Sequence, residues 1–268
     1  MAEGARVLVT DRSAEVEAVA REIGGTALLL DVNEKGAGAK LAAAAPEAFV
    51  RRDALVNNAG IGGSRPLAES DDDRIDRSID TNLKAVLRMT QDCLPHLARP
   101  GGRIINVSSI FGLAGYPGSA AYAVAKAGVA QLTRQLACDL GPDGIQVNAV
   151  APGMIETSMT ADHLRDPRYL ANMLTPTPLR RSGKPEEIAS VVAFPTSDDA
   201  SFVTGQVLVV DGGWLISRAA LAPGGRARMR RHGFPRHQSR PWLPGGRGRG
   251  LPRGHVAIHR PFQSEILP

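Results

Sequence analysis

Tyr122 and Lys126 stand four residues apart in AYAVAKAGVAQLTRQLA, and Ser109 precedes them in INVSSIFG. A phenol ordinarily titrates near pH ~10, so it transfers protons poorly at neutrality unless a neighbouring cation stabilises its phenolate. Residues i and i+4 share one helical face, which lets the Lys126 ammonium lie beside the Tyr122 phenol and still reach a second bound molecule. Ser109 is the residue to hold a reacting oxygen. The three compose a proton-transfer device. Taken alone, Y-x-x-x-K marks an exposed helix face more often than a site, so the weight must come from what surrounds it.

RIINVSS reads as a buried parallel strand over Arg103 to Ser108, and the region from Tyr122 to Leu140 reads as a helix. Ser109 therefore falls where a strand ends, and in open α/β sheets ligands bind at the carboxyl ends of strands. Further strands are expected at Arg6–Thr10, Thr26–Leu30, Ala54–Asn57, Ile145–Val150 and Gln206–Val210. Helices are expected at Ala14–Ile23, Ala37–Ala45, Asp72–Ala98 and Pro185–Phe194, with a loop-rich insert over Met154 to Pro185. Such alternation implies an α/β fold on a parallel sheet.

A chain of 268 residues fits one doubly wound domain, assigned to residues 1–216. Its apolar runs are strand-sized, and MAEGARVLVT lacks a basic region followed by an apolar core, so neither export nor membrane spanning is expected. Cys93 and Cys138 lack metal-ligand spacing, which predicts free thiols, no metal and a cytoplasmic location. Residues 217–268 hold eleven arginines, no lysine and one acid, Glu265, so this segment alone makes the protein basic. Its Arg/Pro/Gly composition predicts disorder. Scattered Phe234 and Trp242 admit nucleic-acid contact, but a solvated charge run is the stronger expectation.

The chain resembles the short-chain dehydrogenase/reductase family from about Gly4 to Trp214. The resemblance rests on Asn57-Asn58-Ala59-Gly60, Asn82 in DTNLKAV, Ser109, Tyr122 with Lys126, Pro152-Gly153 in NAVAPGMIET, and RSGKPEEIASVV with VTGQVLVVDGG. It extends to 3-oxoacyl-carrier-protein reductases and to sugar or steroid-like alcohol dehydrogenases. The resemblance implies a Rossmann-like doubly wound sheet and hydride transfer between NAD(H) and a small carbonyl or alcohol substrate, with catalytic Asn82, Ser109, Tyr122 and Lys126. It also implies a homo-oligomer, dimer or tetramer, built through the Asp72–Ala98 and Tyr122–Leu140 helices and the C-terminal strand region. Asp11 would accept hydrogen bonds from the adenosine ribose and favour NAD, while the adjacent Arg12 keeps NADP open. Asp31 and Val32 would meet the adenine, and Asn58, Ala59 and Gly60 the adenosine side. Tyr122 and Lys126 would also bind the cofactor, and Pro152, Gly153, Ile155 and Thr157 would place the nicotinamide. Taken alone, Asp31 and Thr157 read first as helix caps, Asn57-Asn58 as hydrogen bonds steadying a strand end, and Asn82 as a packing amide.

One part of the family pattern has no counterpart. MAEGARVLVTDR already looks like its second strand, so the first strand, the glycine-rich phosphate turn and the first helix are missing, which implies an N-terminally truncated domain. The expectation is that Arg6–Thr10 and Ala54–Asn57 pair directly, or that the first fifty or so residues pack poorly. A catalytically impaired remnant, serving as an interaction protein, is the alternative to an active enzyme.

Overall fold

Seven parallel strands form one sheet in the order β2-β1-β7-β3-β4-β5-β6. They are β1 (Arg6–Asp11), β2 (Thr26–Leu29), β3 (Ala54–Asn57), β4 (Arg103–Val107), β5 (Gln146–Pro152), β6 (Val207–Val210) and β7 (His255–His259). This computed structural model describes residues 4–49, 53–63, 65–217 and 255–259. Near-continuous apolar runs such as RVLVTD and ALVN make short strands covered on both faces, as parallel sheets require.

The period-two alternation of each strand divides the core. Leu8, Leu55, Ile104 and Val147 point to one face, against Leu41 of α2 (Ala37–Ala48), Met89 of α4 (Ala85–Cys93) and Leu140 of α5 (Ala120–Leu140). On the other face, Val7 and Val9 pack on Val16 and Ala20 of α1 (Glu15–Ile23). There too, Val56, Ile105 and Val150 meet Ile188, Val191 and Val192 of α8 (Pro185–Ala193). Helices on both faces of a parallel sheet define a doubly wound α/β fold. The long helical region expected over Asp72–Ala98 is α3 (Asp72–Ile79), a π-helical turn (Asp80–Lys84), α4 and a short 3₁₀ turn.

Two expectations need correction. The insert after β5 is not mainly loop: it carries α6 (Ala161–Arg165) and α7 (Pro167–Leu174) before α8, and a four-residue α9 (Trp214–Ser217) follows β6. Helix α7 starts where Asp166 accepts a hydrogen bond from Arg168 N at 2.8 Å, with Pro167 in the first turn. The larger correction concerns the sheet centre. β1 and β3 do not pair directly, because β7 lies between them, matching Arg6–Thr10 to His255–His259 and Ala54–Val56 to Val256–Ile258. Two facing strand edges separated by one strand's width leave amides and carbonyls without partners, and an inserted strand satisfies both rows. Composition concealed it: the run Val256-Ala257-Ile258 sits in an Arg/Pro/Gly-rich segment whose remainder, apart from β7 and Ser217, lies outside the described residues.

Candidate active site

The carboxyl end of β4 delivers two serines with different tasks. Ser108 is buried, and its hydroxyl donates to the Lys126 carbonyl at 2.8 Å, tying strand end to helix α5. Ser109 caps the 3₁₀ turn Ile110–Gly112, its oxygen accepting from Phe111 N at 3.2 Å. Helix α5 approaches so closely that a Cβ on Gly112 would stand 2.6 Å from the Lys126 carbonyl carbon. Backbone cannot yield there as a flexible side chain would. Gly112→Ala is therefore expected to cost about 1–3 kcal/mol, an overpacking penalty read as a Tm decrease of several degrees. An unchanged Tm would contradict this close approach.

Tyr122 and Lys126 lie on the sheet-facing side of α5. The Lys126 ammonium is 5.9 Å from the Tyr122 ring centre and donates to the Val107 carbonyl at 2.8 Å. Burial lowers its pKa to about 8. Burial has the opposite sign for the phenol: it raises the Tyr122 pKa, and a hydrogen bond with Ser109 offsets part of the rise by favouring the phenolate. Tyr122 keeps some exposed surface as a residue while its hydroxyl end is enclosed by protein, and the enclosed end governs its titration. At neutral pH the device is thus a protonated phenol beside an ammonium held near its titration point.

Asn82 sits in the π-helical turn and is fully buried. Its side chain accepts from Ile61 N at 3.0 Å and donates to Ile61 O at 3.1 Å, so the amide clamps the loop that follows Asn57-Asn58-Ala59-Gly60. A Cβ on Gly60 would come within 2.8 Å of Asn82 Oδ1 and 3.5 Å of Lys126 Nζ. Gly60→Ala is expected to displace the Asn82 clamp and lower activity at least ~10-fold, with fold retained by circular dichroism, given the sensitivity of such sites to misplacement by about 1 Å. Activity equal to wild type would separate the clamp from the chemistry. Asn57, by contrast, is structural: it donates to Thr90 Oγ1 and Asn106 Oδ1 at 3.0 and 2.9 Å, and Asn106 continues to Thr133.

The expected cofactor residues divide into two groups along the carboxyl edge of the sheet. A cleft is lined by Asp11, Asp31, Val32, Ala59 and Gly60, together with Asn33. Within it Asp11 accepts from Ser13 N at 2.9 Å and Asp31 from Asn33 N at 2.8 Å, turns that fix both carboxylates. Asn58 follows β3, half-buried, outside that lining. The second group follows β5. Pro152 ends the strand, Gly153 leaves no room for a Cβ beside Asp211, and Ile155 is buried and bridged to Gly183. Thr157 caps the next turn through Thr160, so the capping role weighed from sequence is real whatever else the residue does.

Sequence reasoning missed Phe111, Tyr116 and His163 in the aromatic wall beside this device. Phe111 stacks on Tyr116 at 4.5 Å, Tyr169 meets Tyr116 edge-on at 6.1 Å, and His163 stacks on Tyr169 at 4.3 Å. Trp214, Met154 and Met173 close it behind. Burial, then the neighbouring Tyr116 and Tyr122, push the Tyr169 phenol up to about 12. Spacing gave no signal here, because the wall comes from three separated segments. Of the insert's methionines, Met159 lies against Gly62 and Met173 is core. Arg180 and Arg181 have partners within the chain: Arg180 the Thr175 carbonyl, Arg181 the Glu187 carboxylate at 2.6 Å. That pair, with the Lys184 amide, holds Glu187 down to about 2.

The doubly wound sheet thus brings Ser109, Tyr122, Lys126 and Asn82 together at its carboxyl edge. Residues 1–215 match the family model described as enoyl-(acyl carrier protein) reductase. The chain is 40% identical over 221 residues to a 3-oxoacyl-[acyl-carrier-protein] reductase of Thermotoga maritima, covering 80% of this chain and 89% of that one. It is 41% identical over 219 residues to a cyclopentanol dehydrogenase of Comamonas sp., covering 79% and 88%. A solved short-chain dehydrogenase/reductase of Brucella melitensis superposes with a TM-score of 0.75 at 37% identity, covering 80% of this chain and 87% of that one. The chain belongs to the short-chain dehydrogenase/reductase family, and it is an oxidoreductase acting on CH–OH groups with NAD(P). Among the described residues no helix is long and apolar enough to cross a membrane, and no cluster of metal ligands occurs.

Proposed function

We propose that this chain reduces a small, largely apolar ketone, or oxidises the corresponding secondary alcohol, with NAD(H) as the preferred cofactor. The observation that carries the proposal is the buried Lys126 beside Tyr122, with Ser109 bonded to the phenol and Asn82 clamped one loop away. The residues fit a dinucleotide in part. The cleft presents two backbone-oriented carboxylates for ribose and adenine, and Gly60 in its lining lies too close to Asn82 to carry a Cβ. The described residues offer no glycine-rich strand-to-helix turn.

In that reading Asp11, Asp31, Val32, Asn58, Ala59 and Gly60 hold the adenosine half, while Pro152, Gly153, Ile155 and Thr157 position the nicotinamide. The bound cofactor supplies or accepts the hydride. Ser109 holds the substrate oxygen and Tyr122 passes its proton to that oxygen as the carbonyl carbon is reduced. Lys126 stabilises the phenolate left behind, and Asn82 orders the path by which the proton is restored. The stacked Phe111, Tyr116, Tyr169 and His163 give the substrate side a flat, weakly polar wall, which favours cyclic and short acyl ketones over charged ones. We further infer a homo-oligomer, supported by exposed Leu87 on α4, Val124 on α5 and Val209 with Phe202 near β6.

Titration with NADH and NADPH tests the reading, followed by turnover of cyclopentanone and an acetoacetyl thioester. NADH is expected to bind at micromolar concentration and more tightly than NADPH. Asp11→Asn should narrow that gap by removing the charge that repels a 2′-phosphate. No binding of either cofactor at millimolar concentration would refute the enzymatic reading and favour a noncatalytic interaction protein.

A further inference from the structure

We propose that the C-terminal strand β7 is supplied in cis as the closing strand of the sheet, and that it couples the cofactor side of the protein to the catalytic side. β1 forms ladders with β2 and β7, and β3 with β4 and β7, so the hydrogen-bonded path from Asp11 to Ser109 runs through residues 255–259. Neighbouring strands lie ~4.8 Å apart, so without β7 the edges of β1 and β3 stand about 10 Å apart. Amide–carbonyl bonds need ~2.9 Å. The two edges cannot reach each other unless the sheet collapses and strips Leu8, Val9, Leu55 and Val56, all now buried, from their packing.

The chain can make this connection. β6 and β7 are separated by β5, β4 and β3, about 20 Å across the sheet at ~4.8 Å per step. A parallel return needs a crossover of a dozen or more residues, and residues 218–254 exceed that length. Val256 and Ile258 are strong strand formers, and the flanking Gly254 and Pro261 punctuate the run. The register sets His259 opposite Thr10, level with the carboxyl edge that carries Asp11, while Ile258 pairs with Val56 one residue before Asn57. The width of β7 therefore fixes how far the Asp11 cleft stands from Ser109 and Tyr122. That spacing matters to a dinucleotide only if the proposed function holds, whereas the strand itself is testable without any cofactor.

Hydrogen exchange on the full chain, without cofactor, decides it. The amides of Val256–Ile258 should exchange as slowly as those of Ile104 and Ile105, and their protection should persist on ~100-fold dilution. Ala257→Pro should lower protection at Leu8–Thr10 and Leu55–Val56 at least ~10-fold while sparing Val147–Val150, since proline removes a ladder donor. Gln238→Pro, outside β7, should change neither. Exchange at Val256–Ile258 as fast as in an unstructured peptide would overturn the proposal, as would unchanged β1 protection in Ala257→Pro. Loss of wild-type protection on dilution would assign the strand to a second copy and equally overturn its supply in cis. Should Ala257→Pro fail to fold, the wild-type exchange and dilution results stand as the deciding pair. If β7 is protected but no cofactor binds, the strand assignment survives and the enzymatic reading falls.

Discussion

Tyr122→Phe is expected to lower kcat about 10²–10⁴-fold while leaving NADH affinity within a few-fold of wild type. The range is that of a positioned general acid removed from its reaction. Phenylalanine keeps the ring that packs beside Lys126 and deletes only the hydroxyl bonded to Ser109, so a purely structural role for Tyr122 would leave kcat nearly unchanged. Steady-state rates with a ketone, together with a fluorescence titration of NADH, separate the two. Because burial keeps the phenol protonated at neutral pH, the wild-type enzyme should reduce ketones well near pH 7. Reduction should weaken as pH rises through about 8, where Lys126 loses the charge that stabilises the emerging phenolate.

The second large effect carries opposite signs for activity and stability. Lys126→Met is expected to reduce turnover at least ~10²-fold, because the phenolate loses its cation. It should not destabilise the apoprotein at pH 7. The Lys126 pKa falls from 10.5 to about 8 in the folded state, which corresponds to a cost on the order of 3 kcal/mol for keeping the ammonium charged in the interior, at 1.36 kcal/mol per pKa unit. Below pH 8 folded and unfolded chains both hold the proton and the full cost applies. Between pH 8 and 10.5 the unfolded chain binds a proton that the folded site has released, so wild-type stability rises with pH across that window. Loss of the 2.8 Å bond to Val107 offsets part of the gain on substitution. Thermal unfolding should therefore show Lys126→Met at least as stable as wild type at pH 7, with the difference shrinking toward pH 10.5. A variant that is less stable at pH 7 and gains on wild type as pH rises would contradict the buried-charge account.

The sequence carried most of the fold because the strands are apolar runs of strand length. Ala54–Asn57 has the bounds expected for it, and the others shift by a residue or two at their ends. That Ser109, Tyr122 and Lys126 would come together was legible for a related reason: Tyr122 and Lys126 are one turn apart on one helix, and Ser109 follows a recognisable strand. Long-range features were not. Gly112 gave no hint that α5 would pass within contact distance of its backbone, and Phe111 and Tyr116 meet His163 and Tyr169 only after the segment following β4 and the insert following β5 converge. β7 was hidden most completely, since local composition argued for disorder while the demand for a strand came from unpaired edges more than a hundred residues away in the chain.

A single-turnover experiment bears most directly on the central claim. Wild-type protein and Tyr122→Phe, each saturated with NADH, are mixed with cyclopentanone or the acetoacetyl thioester, and the nicotinamide absorbance is followed. Rapid loss of that absorbance in wild type, with a bound but unreacted cofactor in Tyr122→Phe, is the predicted result. Oxidation of NADH by Tyr122→Phe at the wild-type rate would contradict it.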